Sequence, residues 1–380
     1  MTKFSGKQDK TAVELLTEAA MDAINESNIK PKDIQAMFIG NALSDFCEGQ
    51  GQPHAFAADA LGIAGIPANR YEGACASGSA AARDAYLWVA SGYYDIVLAG
   101  GTETAAKMGT PLATRTFAMF SDSRYEYASG LTFPGVFGML TNLYSTRYGI
   151  PMEKLKRQLA QVSVNSHYYG ARNPKAQFQK EISIEDVFNG IMVAYPLQLL
   201  DCCPFTDGAA AVVFASEEKA KKLTNKPVSV VGIGQSSAGN LASQKEYLPR
   251  LRAREIASKQ AYDMAGVKPQ DIDVIELHDC FSTATLIALE SLGFFEFGKA
   301  AEAVEKGKTK IGGKIAVNPS GGLKAKGHPI GATGVAQVYE IARQLRGECG
   351  ERQVEGAKYG MTDTLGGDGG TIVNLILKKG

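Results

Sequence analysis

The stretch VKPQDIDVIELHDCFS, residues 267–282, decides the fold of this chain, because its opening repeats a segment near the N-terminus. There, IKPKDI at 29–34 follows an apolar helical pattern and precedes the strand-like AMFIGNAL. VKPQDI at 267–272 follows AREIASKQAYDMAG and precedes DVIEL in the same order, 238 residues later (267 − 29). A helix-then-strand unit that returns after so long an interval predicts two similar α/β halves, not a solenoid.

Two further pairs of segments repeat in the same order. CASGSAAARDAY at 75–86 resembles GATGVAQVYEIA at 331–342, and in both small residues open a helix. LAGGTE at 98–103 is matched by TLGGDGG at 364–370. We therefore predict two packed sheets with helices between and outside them.

The predicted halves are residues 1–225 and 226–380, and about residues 105–195 fit neither. This stretch breaks the strand–helix rhythm and is rich in aromatic residues, among them Phe117 and Phe137. We expect an inserted loop domain of the kind that often shapes a substrate site. A lid that supplies only packing and subunit contacts is the alternative.

Composition excludes several classes of protein. The 380 residues are 45% hydrophobic and 21% charged, which is typical of a globular chain, and 40 basic residues balance 40 acidic ones. No net field therefore favours nucleic acid or an anionic membrane as a partner. None of the six cysteines forms a C-x-x-C motif, so neither a metal site nor a disulfide framework is predicted.

The chain also lacks recognisable targeting signals. Its N-terminus has no apolar signal-peptide core, and no apolar run approaches the ~18 residues that span a bilayer. The last residues do not form the S-K-L peroxisomal signal. We expect a cytoplasmic protein.

Cys75 is the first candidate for chemistry. It follows small residues and precedes an Ala-rich helical pattern, so we expect it at a helix N-terminus, where the dipole and free N–H groups favour a thiolate. The alternative is an inert thiol in the core.

His328 lies in NPSGGLKAKGHPIGATG, residues 318–334, a Gly-rich loop ahead of a helical pattern. An imidazole there can act as a base or an oxyanion donor, and the glycines let a ligand approach the backbone. A structural turn residue is the alternative for the His considered alone.

The third candidate segment is HDCFS, which places His278 and Cys280 after an apolar strand. Strand ends commonly build sites in open α/β sheets. Asp279 or Ser282 can instead cap the following helix, and we expect this of Ser282. The glycines of TLGGDGG suit a tight turn, or close backbone approach to a reacting carbonyl.

Taken in order, CASG, HDCFS, NPSGG…GHPIGATG and GGDGG resemble the thiolase superfamily. The HDCF segment is similar to the sterol-carrier-protein-type and archaeal acetoacetyl-CoA thiolase branch. The resemblance covers nearly the whole chain, including LDCCPFTDGAAAVV at 200–213. It implies a duplicated five-layer αβαβα fold, homodimers or dimers of dimers, and ping-pong acyl transfer.

The resemblance also implies roles for single residues. Cys75 matches the acylated nucleophile, His328 the imidazole that activates it, and Cys280 the second cysteine that moves protons. His278 stands where many thiolases carry Asn and is expected to position a water. Backbone N–H groups of Cys75 and Gly366 are expected to form an oxyanion hole.

Two positions depart from the pattern of related chains. Thr364 stands where other thiolases carry their acid/base Cys, which fits only if Cys280 has taken that role. Related chains also usually begin with an apolar strand and a Gly-rich turn before Thr2-Lys3-Phe4, so either this chain lacks that strand or its start is truncated.

The implied activity is that of an acyl-CoA C-acyltransferase. We expect no covalently bound cofactor, and coenzyme A is expected as substrate or product. Acetoacetyl-CoA and a larger, aromatic 3-oxoacyl-CoA such as benzoylsuccinyl-CoA both remain open as substrates. The resemblance also implies a small zinc-ribbon/OB-fold partner protein.

Two rival functions remain. A ketoacyl synthase shares the fold and a Cys nucleophile but typically uses two His residues and a decarboxylated donor, whereas Cys280 beside His278 favours a thiolase. A non-catalytic thioester-binding subunit is the second rival. The presence of all four catalytic-type segments disfavours it.

Overall fold

A computed structural model describes all 380 residues. The strands, in chain order, are β1 (Ala36–Gly40), β2 (Ala68–Tyr71), β3 (Ile96–Thr104), β4 (Met192–Ala194), β5 (Leu197–Gln198), β6 (Asp207–Ala215), β7 (Val228–Ser237), β8 (Val274–Glu276), β9 (Ala316–Val317), β10 (Tyr359–Gly366) and β11 (Thr371–Lys379). The α-helices are α1 (Ala12–Glu26), α2 (Ser44–Cys47), α3 (Pro53–Ala60), α4 (Ser77–Ala90), α5 (Thr110–Ala118), α6 (Phe133–Tyr148), α7 (Met152–Gly170), α8 (Ile184–Phe188), α9 (Glu217–Leu223), α10 (Arg252–Ala265), α11 (Ser282–Ser291), α12 (Ala300–Glu305), α13 (Gly322–Ala325) and α14 (Ile330–Arg346).

The repeated six-residue segment forms the same short turn in both halves. In each copy an Asp carboxylate accepts a hydrogen bond at 2.8 Å from the backbone N–H of the Lys three residues earlier, Asp33 from Lys30 and Asp271 from Lys268. The turn connects α1 to β1 in the first half and α10 to β8 in the second. The sequence repeat is therefore a structural repeat.

The two sheets share one strand order. The first is β2-β1-β3-β6, and the second, read from its far edge, is β9-β8-β10-β11-β7. In both, the first three strands are parallel and the fourth is antiparallel to its neighbour. β7 has no strand equivalent in the first sheet, where the chain start contributes only an isolated bridge from Ser5 to Asp207 beside β6.

Helices α4 and α14 lie between the sheets and approach each other closely. A Cβ on Gly78 would lie 2.5 Å from the carbonyl oxygen of Gly331, so a side chain at this crossing would force the helices apart. Helices α1 and α3 cover the outer face of the first sheet, and α10 and α11 that of the second. The predicted five-layer αβαβα fold is confirmed.

An inserted segment, residues 105–206, separates β3 from β6 and contains α5 to α8 and the β4–β5 hairpin. It packs on the second half, where Phe137 stacks on Phe281 with 4.6 Å between ring centroids. The predicted boundary at residue 225 falls between α9 and β7 and stays a prediction. No helix of the structure is both long and apolar enough to cross a bilayer.

Candidate active site

Cys75 lies in a single 3-10 turn, Ala74–Ala76, directly ahead of α4. The turn is strained at Ala74, whose φ of 51° is in the left-handed region that costs a non-glycine residue about 1–3 kcal/mol. Glu72 Oε1 accepts from the Ala74 amide at 2.6 Å, and the Ser77 hydroxyl donates to the Ala74 carbonyl at 2.6 Å. These contacts hold the sulfur in place. Sequence patterns gave no signal for the strain.

Three of the predicted site residues converge on one point. The sulfur of Cys75 and one ring nitrogen each of His278 and His328 all lie within 4.8 Å of one another. Their exposed fractions are 7%, 1% and 3%, so water is largely excluded. Cys75 comes from the first half and both histidines from the second, which places the site where the halves meet.

This cluster is also the one group of His, Cys, Asp and Glu side chains with converging ligand atoms. A thiolate and two imidazoles are donors that zinc accepts. The same three groups, however, are the nucleophile and imidazoles that acyl transfer requires. The absence of a metal cofactor stays a prediction.

The thiol of Cys75 is held in its neutral form. Burial raises its pKa above the ordinary value, and the neighbouring Cys203 thiol adds to the shift. The backbone amide of Gly367 lowers the pKa and opposes this shift without reversing it. The sequence pattern predicts a resting thiolate at Cys75, and the pKa shift has the opposite direction. Loss of hydration on burial raises the pKa by more than the helix N-terminus lowers it.

His328 is held as a base by its hydrogen bonds. Its Nδ1 lies 2.7 Å from the hydroxyl of Thr333, and that hydroxyl donates its only proton to the carbonyl of Pro329 at 3.0 Å. Thr333 therefore accepts from Nδ1–H, and Nε2 carries the free lone pair. Burial lowers the pKa of His328 to about 3, so the ring is neutral at pH 7.

His278 and Cys280 follow β8 and are both buried. The backbone N–H of His278 donates to Asp363 at 3.4 Å, and its Nδ1 has no protein partner. Burial lowers the pKa of His278, and the neighbouring His328 lowers it further. Burial raises the pKa of Cys280, and the thiols of Cys203 and Cys75 raise it further. The Cys280 sulfur is not part of the group of three atoms that converge within 4.8 Å.

The neighbours of Cys280 tie separate segments together. Asp279 accepts from the Leu323 amide at 2.7 Å and forms a buried ion pair with Lys324 at 2.9 Å. It thereby fixes the loop that carries His328. Ser282 shares a 2.9 Å hydrogen bond with Ser163 of the insertion, and the expectation that it caps α11 is wrong. The helix begins at Ser282 itself, so its hydroxyl is free to bind the neighbouring helix.

The glycines after β10 pack on the nucleophile turn. A Cβ on Gly366 would lie 2.2 Å from the carbonyl oxygen of Gly73, so only glycine fits there. The amide that lowers the pKa of the Cys75 thiol is that of the next residue, Gly367. Gly367 thereby joins the candidate oxyanion donors, and the roles of the Gly366 and Cys75 amides stay predictions.

The hydroxyl of Thr364 makes two structural hydrogen bonds. Its hydroxyl donates to Gln337 at 2.6 Å and lies 2.5 Å from the Ser79 hydroxyl. Since its one proton goes to Gln337, Ser79 is the donor in the second contact. The proton of Thr364 is thus committed to Gln337 and is not free for a proton shuttle.

Apolar residues surround the nucleophile. Cys75 packs in a cluster with Leu43, Phe117 and Ile330, and the rings of Phe120, Phe133 and Phe205 adjoin it. The rings of Phe117 and Phe205 meet edge to face at 5.1 Å. The insertion therefore supplies much of the wall around the sulfur.

Comparison with known proteins agrees with this architecture. Residues 1–218 match the thiolase N-terminal domain, and residues 234–379 match the thiolase C-terminal domain-like family. The acetyl-CoA acetyltransferase of Methanothermobacter thermautotrophicus is 44% identical over 100% of this chain and 97% of its own length. Bovine sterol carrier protein 2 is 34% identical over 100% of this chain and 71% of its own length.

Two solved structures have the same fold. The Ltp2-ChsH2(DUF35) aldolase superimposes with a TM-score of 0.83 at 26% identity, covering 99% of this chain and 95% of the other. Human mitochondrial 3-ketoacyl-CoA thiolase gives a TM-score of 0.75 at 19% identity, with coverage of 100% and 97%. The fold, the converging thiol and imidazoles and the two matched domains together lead to one conclusion: the chain belongs to the thiolase family and is an acyltransferase that uses coenzyme A thioesters.

Proposed function

We propose that the chain cleaves a 3-oxoacyl-CoA with coenzyme A, and catalyses the reverse Claisen condensation, through an acyl intermediate on Cys75. The observation that carries this proposal is the convergence of the Cys75 sulfur with His278 and His328 in a buried site. A nucleophile within reach of an oriented neutral base is the arrangement that covalent acyl transfer needs.

In the first half-reaction the Cys75 thiol gives its proton to Nε2 of His328 as its sulfur attacks the ketone carbon. Because both groups are neutral at rest, the proton leaves as the new C–S bond forms. The carbon–carbon bond then breaks, and its electron pair departs as the enolate of acetyl-CoA. Cys280 donates its proton to the enolate carbon and becomes a thiolate.

In the second half-reaction coenzyme A replaces acetyl-CoA. The Cys280 thiolate takes the proton of the CoA thiol, and the CoA sulfur attacks the acyl carbon. The C–S bond to Cys75 breaks, and the Cys75 sulfur recovers its proton from His328. Every group returns to its starting state, and Cys280 has acted once as acid and once as base.

The oxyanion of each tetrahedral intermediate needs preorganised donors. The Gly367 amide favours the anionic form of the Cys75 sulfur, and the adjoining amides of Gly366 and Cys75 are the other candidates. Each such donor contributes about 3 kcal/mol in comparable acyl-transfer sites. After it accepts the proton, His328 Nε2–H is a further donor for the enolate oxygen.

We further propose acetoacetyl-CoA as the preferred substrate. Cys75 is only 7% exposed, and the surrounding phenylalanines leave little space for the transferred group, which favours acetyl over an aromatic acyl group. Relatives such as the Methanothermobacter protein are named acetyl-CoA acetyltransferases, which supports the same choice. Benzoylsuccinyl-CoA would require the aromatic wall to move.

Thiolysis kinetics with a series of 3-oxoacyl-CoA esters test this proposal. We expect kcat/KM to be highest for acetoacetyl-CoA and at least tenfold lower for an aromatic ester. A preference for the aromatic ester would overturn the substrate assignment. No thiolysis of any ester would overturn the proposed function, and repeated turnover of a 3-hydroxyacyl-CoA without free coenzyme A would favour an aldolase instead.

We also propose a homodimer or dimer of dimers and a small partner protein with a zinc-ribbon/OB-fold domain. The solved aldolase is named as a complex of Ltp2 with ChsH2(DUF35), which supports a partner of that kind. Light scattering of the purified protein gives the oligomeric state. Purification from the native source without any such small protein would contradict the partner assignment.

A further inference from the structure

Arg254 is a buried cation that the mechanism above does not use. It lies in the first turn of α10 with its side chain fully buried, and its Nε donates to Asp363 Oδ1 at 3.0 Å. Its two terminal nitrogens, Nη1 and Nη2, have no protein partner. A buried guanidinium with most of its donors unsatisfied is costly to a fold, and such groups are commonly retained for function.

The partner of Arg254 leads directly to the active site. Asp363 lies on β10, and its second carboxylate oxygen accepts from the backbone N–H of His278 at 3.4 Å. Asn374 donates to the same oxygen as Arg254, at 3.1 Å, which fixes the orientation of the carboxylate. The chain of contacts therefore runs from Arg254 through Asp363 to the backbone of His278, two residues before Cys280.

The guanidinium charge also acts on the site through space. The charged and titratable groups with the largest effect on Cys280 are Cys203, Cys75, Asp279 and Arg254. Burial and the first three of these raise the pKa of Cys280, and Arg254 alone among them lowers it. The Arg254 charge also lowers the pKa of His278, although burial and His328 lower it more.

We propose that Arg254 is a positioning residue of the reaction: through Asp363 it holds the backbone of His278, and its charge stabilises the anionic sulfur that forms when Cys280 gives up its proton. This inference rests on the proposed function, because Cys280 must become a thiolate in each catalytic cycle. In the condensation direction, coenzyme A leaves as a thiolate when Cys75 is acylated, and the Cys280 proton then passes to that sulfur. The Cys280 thiolate then removes a proton from the methyl group of a second acetyl-CoA.

The test separates charge from packing by comparing Arg254→Gln with Arg254→Lys. Arg250→Gln is the matched control, because Arg250 precedes the same helix and pairs with Glu255 on a part-exposed surface. The first readout is the pH dependence of iodoacetamide labelling at Cys280, followed by peptide mass spectrometry. This readout needs no turnover, so it remains informative if the proposed function fails.

We expect Arg254→Gln to slow Cys280 labelling at least tenfold at a fixed pH and to move its half-maximum upward by at least one pH unit. Arg254→Lys and Arg250→Gln should stay within about threefold of the wild type. An unchanged pH profile in Arg254→Gln, or an equal shift in Arg254→Lys, would overturn the proposal.

The second readout is exchange of the acetyl-CoA methyl protons with deuterated water, which needs Cys280 as base, compared with acylation of Cys75 by acetyl-CoA. Arg254→Gln should lose at least tenfold in exchange and less than threefold in acylation. Equal losses in both would mean a structural role only. If Arg254→Gln does not fold, the double variant Arg254→Gln/Asp363→Asn removes the ion pair as a whole and takes its place. Failure of the wild type in both reactions would instead reject the proposed function.

Discussion

The imidazole rings of His278 and His328 meet edge to face, with 4.9 Å between their centroids and an angle of 81° between their planes. Both rings are buried and both have a lowered pKa, so neither carries a charge at pH 7. Two adjacent neutral imidazoles can receive a proton without first losing one. Against them lies the Cys75 thiol, which burial keeps protonated until it attacks.

Replacing Cys280 by Ser should separate the two proton transfers. A hydroxyl of that size keeps the packing but is far too weak an acid to serve, so steady-state turnover should fall by about 10³-fold or more. Acylation of Cys75 by acetyl-CoA expels coenzyme A as a thiolate, which can leave before it takes the Cys280 proton, so Cys75 should still be labelled by acetyl-CoA. Stopped-flow acylation and steady-state thiolysis measure the two quantities, and a parallel loss of both would contradict the assignment.

Thr333 should act on the reaction through His328. Thr333→Val removes the acceptor for Nδ1–H, which leaves a buried N–H unpaired and allows the other tautomer. We expect acylation of Cys75 to slow by about tenfold to a hundredfold, within the range of general-base effects. Thr333→Ser keeps the hydroxyl and should recover most of the rate. Equal rates in the Val and Ser variants would show that the hydroxyl does not orient the ring.

Buried neutral histidines should make the fold sensitive to acid. The unfolded chain binds a proton at each imidazole near pH 6.5, whereas folded His328 binds one only near pH 3. Stability is therefore complete above pH 6.5 and falls as the pH drops from 6.5 towards about 3, by up to about 1.4 kcal/mol per pH unit for one imidazole. Urea unfolding of the wild type and His328→Gln across this range measures the difference. Identical slopes in the two proteins would contradict the lowered pKa.

Asp368 should make the stability of the fold depend on pH in the opposite direction. Burial and a hydrogen bond with Glu126 raise its pKa to about 7. The folded state therefore holds a proton that the unfolded carboxylate releases near pH 3.8, so its stabilising contribution is complete below pH 3.8 and is lost as the pH rises through about 7. Asp368→Asn retains a donor to Glu126 without titrating, so its unfolding free energy should exceed that of the wild type at pH 8. A variant that is less stable than the wild type at pH 8 would contradict the raised pKa of Asp368 and its hydrogen bond with Glu126.

Some of this arrangement follows from local sequence and some does not. The duplicated fold was predicted because each copy repeats a whole helix–turn–strand unit, including the Asp that closes the turn. The position of Cys75 ahead of a helix also followed from its neighbours. The direction of its pKa shift did not, since it depends on how deeply folding buries the sulfur.

Arg254 and Thr333 show why other site features were missed. In the sequence, Arg254 is one charged residue of an amphipathic helix, and only folding brings it to Asp363 of a distant strand. In the sequence, Thr333 is one small residue near the start of a helix. Its role in orienting His328 depends on which acceptor its hydroxyl proton binds. The strain at Ala74 likewise has no compositional signal, because alanine rarely occupies the left-handed region.

The central claim is that Cys75 carries the acyl group. The protein would be incubated with acetoacetyl-CoA without free coenzyme A, quenched in acid and digested, and its cysteine peptides weighed by mass spectrometry. We predict one acetyl group on the peptide that contains Cys75 in the wild type and in the control Cys349→Ser, and none in Cys75→Ser. Acetyl-CoA formation with no adduct on Cys75, or an unchanged adduct pattern in Cys75→Ser, would contradict the account.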